Sequence, residues 1–473
     1  MRCSKLKCAS VVLFAFLLSA EMAAAEEARS TVAVDDSGPK ASADRGYHVL
    51  RTKPFLPPDF DDEIFAKLWT LWPTEFRERA AAATPAERRR LTFERYGLHE
   101  PPDAPPDYDG PAIGYVDDGA GGWVMNCFAC HAGRVAGQVL PGAPNVDLDL
   151  QSLVEDVRTI KLRQFTPLAH LDLGSLKVPL GGTRGTTNSV VFGILLDGFR
   201  QPDMSVDLTR RPGPLLHHDM DAPAWWNVRR KSKLYVDGFA PKNNRILMQF
   251  MLIPRNDRDT IYSWEDDFRD VLAYIESIQP PKYSGPIDEP LAEQGRMIFD
   301  ANCGRCHGTY SGPEAGNYPE KIIPIEELAT DPIRLRALSV EHREHLQTTW
   351  MTHYGRDETI TDPGGYVAPP LDGVWATAPY FHNGSVPTLW HVLHPDKRPS
   401  IWRRDRHGDS YDHDRIGLAV EELQSMPTEI PDPAARRELF DTSQRGKSAR
   451  GHDYPNVLTE EEKRAVLEYL KSR

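Results

Sequence analysis

The sequence predicts a mainly α fold in two domains, with long irregular loops and little β structure. Three observations carry that expectation. Capped or amphipathic helical segments recur in both halves of the chain. Proline is abundant, at 40 of 473 residues against a usual share of about 5%, so much of the chain between helices is irregular. A Pro280-Pro281 pair followed by Ser284-Gly285-Pro286 makes the best linker. The length is ample for two or three domains with sizeable cores. With 40% apolar and 26% charged residues, fibrous, collagenous and transmembrane classes are excluded. A net charge of −13 argues against nucleic acid or an anionic membrane as partner.

In chain order, residues 1–25 read as a signal peptide. Arg2, Lys5 and Lys7 are followed by an apolar run over 11–20 and by Ala23-Ala24-Ala25. The run is too short to span a bilayer, so the expectation is a periplasmic or secreted protein without membrane insertion. Residues 26–50 are small, polar and aperiodic, and read as a flexible leader. An amphipathic helix is expected over 60–71. Thr84-Pro85-Ala86-Glu87 is a capping box opening a helix that Gly97 closes. Helical periodicity returns at Ser263-Trp264-Glu265-Asp266, with Phe268, Val271, Leu272 and Ile275 on one face. The first domain is therefore placed at 51–284 and the second at 285–473. In the second, a short helix over 290–299 puts Leu291, Gly295 and Ile298 on one side. Thr459-Glu460-Glu461-Glu462 caps a last helix through Val466, Leu467 and Leu470.

The cysteines state the chemistry. Cys3 and Cys8 leave with the signal peptide, and the other four read Cys127-Phe-Ala-Cys130-His131 and Cys303-Gly-Arg-Cys306-His307. Each is C-x-x-C-H, the attachment signature of c-type haem, and about 0.003 copies are expected by chance at this composition. Two thiols three residues apart reach the two vinyl groups of one porphyrin, and the next imidazole becomes the fifth ligand of the iron. A zinc site needs four ligands of its own, and a redox dithiol gives no reason for His to follow. Two covalent haems are expected, with His131 and His307 as iron ligands. A first helix entering the haem motif and a last helix crossing it is the arrangement of a class I cytochrome c. Neither helix is long enough to be stable alone, so loss of haem should unfold the domain.

Thr377-Ala378-Pro379-Tyr380-Phe381-His382-Asn383-Gly384-Ser385 resembles a segment of bacterial di-haem cytochrome c peroxidases and of the di-haem enzyme that matures methylamine dehydrogenase. Trp225-Trp226, Gly451-His452-Asp453-Tyr454 and the run from His382 to Leu389 resemble the rubber-oxygenase branch of that superfamily more closely. The resemblance spans roughly residues 90–473. It implies an oxidoreductase that binds peroxide or O2 at the first haem and passes electrons through the second. It also implies a small redox protein as electron donor or acceptor, and admits Ca2+ between the domains. Phe239 would then cover an open first iron. One departure stands out: Tyr235-Val236-Asp237-Gly238-Phe239 has Val where the peroxidases carry a relay Trp. Either Trp225 or Trp226 occupies the inter-haem space instead, or both are core aromatics.

Gln249 is a candidate distal hydrogen-bond donor, and Met248 and Met251 are candidate ligands that would make the first haem a redox relay. His217-His218, in a Pro-rich loop, reads as exposed. Three histidines compete for the sixth position of the second haem. His452 is favoured because it lies shortly before the last helix, where a class I cytochrome places that ligand; the resemblance to the rubber oxygenases agrees. His382 is expected to pack near the haem, and His394 is the remaining candidate. The alternative to an enzyme is a pure electron carrier with two six-coordinate haems.

Overall fold

Two helix crossings organise the chain, each built on a glycine. The computed structural model describes residues 40–310, 316–406, 409–430 and 432–473. Residues 41–473 form one compact unit. The helices of nine residues or more are, in order, α1 (Ala43–Thr52), α2 (Thr74–Ala82), α3 (Pro85–Tyr96), α4 (Leu150–Gln164), α5 (Ser189–Asp197), α6 (Glu265–Ser277), α7 (Glu289–Asn302), α8 (Val340–Thr348) and α9 (Glu460–Lys471). Helix far outweighs strand, as expected, and none of these helices is long and apolar enough to cross a membrane.

α7 and α9 cross at Gly295, where a Cβ would overlap the carbonyl oxygen of Ala465. The first half repeats the arrangement: α1 crosses α6 at Gly46, where a Cβ would overlap the carbonyl oxygen of Asp270. Asp270 also accepts hydrogen bonds from Ser42 N (2.7 Å) and Arg45 Nε (2.7 Å), pinning the start of α1. Most of α1 lies in the stretch expected to be a flexible leader, so that expectation is corrected from residue 43 onward. Its composition is too polar to announce burial, and what orders it is the groove offered by α6. The rest of that leader, and the signal peptide, lie outside the described residues.

Thr84, Pro85, Glu87 and Gly97 cap α3 as their sequence implies, with Gly97 at φ 67°. The helix expected over 60–71 is broken into a strand pair (Phe60–Asp61), a turn (Asp62–Phe65) and a 3-10 turn (Leu68–Leu71). The periodicity was real, because Phe60, Ile64, Phe65 and Leu68 are all buried. Continuity fails because Asp61 caps Ile64 N and Phe60 pairs with Trp123 across an antiparallel bridge. Likewise α6 starts at Glu265, after a separate turn capped by Asp257. The β structure is small: a three-stranded antiparallel sheet (60–61, 122–125, 115–117), a hairpin (132–135 with 138–141), another three-stranded sheet (420–423, 401–404, 439–441) and shorter pairs.

The chain crosses the linker in both directions to complete its cores. The first core, built on Trp123, Leu153, Phe239 and Phe268, takes in Leu338, Leu346 and Trp350 from beyond residue 285. The second, built on Phe299, Trp375, Val466 and Leu470, takes in Val146 and Trp226 from before it. Buried charges reinforce the exchange. Asp237, fully buried, lies between Arg334 (3.2 Å) and Arg343 (2.9 Å). Asp147 pairs with Arg404 at 2.7 Å and with Arg406.

Candidate functional site

Each C-x-x-C-H pentapeptide forms one helical turn, Phe128–His131 and Gly304–His307. In each, the histidine N–H donates to the carbonyl of the first cysteine, His131 to Cys127 at 3.2 Å and His307 to Cys303 at 3.1 Å. Asn126 roots the first turn: its Oδ1 accepts from Phe128 N, and its Nδ2 donates to the carbonyls of Leu50 in α1 and Ile113. The second turn continues directly from α7. No disulfide joins any of these four cysteines. Burial pushes Cys127 up to about 12 and Cys130 and Cys303 up to about 11, the opposite of what a redox dithiol needs.

Both histidines are oriented by a proline carbonyl. His131 Nδ1 lies 3.1 Å from Pro223 O, and His307 Nδ1 lies 2.8 Å from Pro369 O. A carbonyl only accepts, so Nδ1 carries the proton in each ring and Nε2 presents its lone pair. Burial lowers His131 to about 4 and lowers His307 as well, keeping both rings neutral. Cys127, Cys130, His131 and His307 are surrounded by protein yet retain open surface. Their side chains are thus not sealed in packed core, which leaves them accessible to a large flat group.

His452 faces His307. Their ring centroids are 6.2 Å apart at an interplanar angle of 63°. A metal–imidazole bond of about 2.0 Å plus about 1.1 Å from nitrogen to ring centre puts two imidazoles on one metal about 6.2 Å apart. The separation thus fits one iron between them. Burial lowers His452 to about 3, with His307 and Arg398 adding to it, and among the described residues no hydrogen-bond partner meets its Nδ1. The competing histidines lie elsewhere. His394 has both nitrogens engaged, with Trp390 O (2.7 Å) and Glu460 (2.9 Å). The His382 ring lies 4.6 Å from Tyr366 at a tilt of 45°, half-buried, and its carbonyl accepts from Asp221 N.

The first site has different neighbours. Among the described residues no second histidine ring pairs with His131; its ring contact is Trp225, stacked at 4.8 Å and 26°. Trp226 belongs to the second core, where its Nε1 donates to Asp372 O at 2.7 Å, three residues beyond the carbonyl that holds His307. The adjacent indoles thus touch different parts of the molecule, Trp225 the first C-x-x-C-H histidine and Trp226 the segment that follows Pro369. Phe239 is fully buried in the first core and stacks on Tyr235 at 4.9 Å. Gln249, buried rather than on the surface, donates to Tyr235 Oη. Met248 and Met251 are buried in the same core. His218 corrects the expectation of an exposed pair: it is 2% exposed, because the segment after it is bound to Thr187 through a bridge at Met220. His217 stays half-open and its Nδ1 meets Asn188 at 2.6 Å.

Sequence reasoning missed Tyr235 and Asp221. Both are enclosed by protein while keeping open surface. Burial raises the Tyr235 phenol and holds the Asp221 carboxyl well above the usual carboxylate range. Tyr235 sits at φ 68°, a left-handed conformation costly for an aromatic residue and common at functional sites. The Asp237-Gly238 turn beside it was the available signal; Asp221 had none. Among the described residues no three His, Cys, Asp or Glu side chains converge as an ion site, so Ca2+ has no donor cluster of that kind. A cavity of about 20 Å³, room for about one water, is lined by Arg184, Arg404, Trp402 and Phe440 and shares none of these residues.

Residues 365–403 match the family model described as RoxA-like, cytochrome c-like. That segment links the chain, over these residues, to the RoxA-type cytochromes. The matched stretch includes Pro369, Phe381, His382 and Arg398. A RoxA-type family accords with covalently bound haem c and, coarsely, with oxidoreductase chemistry. Two curated relatives also match, both from Sinorhizobium fredii (strain NBRC 101917 / NGR234). The uncharacterized protein y4iM is 25% identical over 294 residues, 54% of this chain and 64% of the relative. The uncharacterized protein y4iJ is 27% identical over 285 residues, 45% of each chain. The chain spans less than two thirds of the length of either.

Proposed function

We propose that the protein is an exported, periplasmic or secreted di-haem c-type oxidoreductase of the peroxidase or oxygenase kind. In this reading Cys127, Cys130 and His131 hold the first haem, and Cys303, Cys306, His307 and His452 hold the second. Haem supplies one-electron chemistry when bound and, where a coordination position stays open, a place for peroxide or O2. The observation that carries the proposal is the contrast between the sites: His307 is matched by His452 at 6.2 Å, and His131 by no second histidine among the described residues.

The chain's own residues divide the work. Pro223 and Pro369 carbonyls orient the two imidazoles. Phe239 and Met248 exclude water from the first core. Tyr235 keeps its proton on Oη, where Gln249 fixes the side chain. Trp225 and Trp226 give electrons an aromatic path between the halves, replacing the relay tryptophan absent at Val236. The net charge of −13 suits a basic redox protein as donor or acceptor.

A pure electron carrier is the second reading, supported by the two methionines buried in the first core. The optical spectrum separates the two. The enzyme reading expects a high-spin ferric band that cyanide or peroxide shifts, followed by turnover with hydrogen peroxide or O2 and a reduced donor. Two low-spin haems in every redox state would leave only the carrier.

A further inference from the structure

We infer that Arg398 is a positioning residue that holds His452 in place to face His307. The inference rests on the reading of His452 as an iron ligand and adds the device that keeps it there. The loop delivering His452 is strained: Gly451 (φ 78°) and His452 (φ 52°) are consecutive left-handed residues. At 451 only glycine fits, because a Cβ would overlap the backbone of Leu328 and Ala329. At 452 the imidazole has to be present, so the strained conformation must be held from outside.

Arg398 does so with its whole fork. Nη1 donates to Ala449 O and Gly451 O, both at 2.7 Å, and Nη2 approaches His452 O at 3.5 Å. Nε donates to His391 O at 3.1 Å and Nη2 to Val392 O at 3.3 Å, tying the loop to the preceding helical turn. From the other side His452 N donates to Leu328 O at 2.8 Å. The Arg398 guanidinium lies 4.8 Å over Phe381, whose ring meets His452 edge-on at 6.0 Å. Among the described residues Arg398 forms no ion pair with a carboxylate, so its donors are spent on backbone carbonyls. A lysine ammonium lacks the planar fork needed to reach these carbonyls together.

The test uses the haem-loaded full chain as wild type, Arg398→Met, Arg398→Lys and His452→Ala. Haem content is measured first, then the spin state of the second haem and its response to added imidazole. Arg398→Met is expected to convert at least half of the second haem to high spin, leave the first-site bands and the count of two haems unchanged, and return to low spin with imidazole. Arg398→Lys should fall between wild type and Arg398→Met. A fully low-spin second haem in both Arg398 variants, with His452→Ala high-spin, overturns the inference alone. A low-spin His452→Ala overturns the ligand reading beneath it. Should Arg398→Met fail to load haem, Arg398→Lys decides: full low spin refutes the role, and partial high spin rescued by imidazole supports it.

Discussion

Around His131 and around His307 the chain repeats one local design. A single helical turn presents two thiols and an imidazole, a proline carbonyl holds Nδ1, and a pair of helices crosses nearby on a glycine. Beyond that shared design the two regions part. His452, far along the chain, is brought to 6.2 Å from His307, whereas the first core gathers Tyr235, Phe239, Gln249 and two methionines. The difference teaches that the pentapeptide settles its own helical turn, while what faces its imidazole is decided by chain remote from it.

The largest expected effect comes from removing one attachment. Cys303→Ser with Cys306→Ser should lower haem content from two per chain to one, by pyridine haemochrome assay, and abolish cooperative unfolding of the second core. If that core still melts cooperatively, haem is not what holds α7 against α9. Next, His452→Ala should make the second site resemble the first, shown by a change from low to high spin that imidazole reverses.

Asp237→Ala removes the single carboxylate between two buried arginines and should destabilise the protein by about 3–5 kcal/mol, read from denaturant midpoints. A loss below about 1 kcal/mol would mean that solvent reaches Arg334 and Arg343. Gly46→Ala and Gly295→Ala compare the helix crossings directly. Each should cost about 1–3 kcal/mol, and similar losses would show that the two halves depend equally on close approach.

The smallest expected effect concerns acid. Burial lowers His218 to about 4, below an unfolded value of about 6.5. Between these values the unfolded state binds the extra proton, so this residue lowers stability as pH falls from about 6.5 to about 4. The variant His218→Gln should therefore gain relative to wild type as pH falls through that window. A difference independent of pH would refute the burial argument.

Much of this was legible in sequence because it is local. C-x-x-C-H places three side chains within one turn, and Thr84, Gly97 and Thr459 act on backbone groups within four residues of themselves. Gly295 was readable for the same reason, lying eight residues before Cys303 on the helix that enters the motif. Its counterpart Gly46 was not: the loops of the first half separate it from Cys127, and a polar helix announces nothing until α6 covers it. His452 lay between, since its place before the last helix suggested a role that three histidines could have claimed. What the tertiary structure adds is their different surroundings: both nitrogens of His394 engaged, His382 against Tyr366, and His452 6.2 Å from His307. Tyr235, Asp221, the Asp237 ion triad and the carbonyl contacts of Arg398 were likewise beyond sequence. Their roles depend on burial and on partners from remote segments, and a linear pattern records neither.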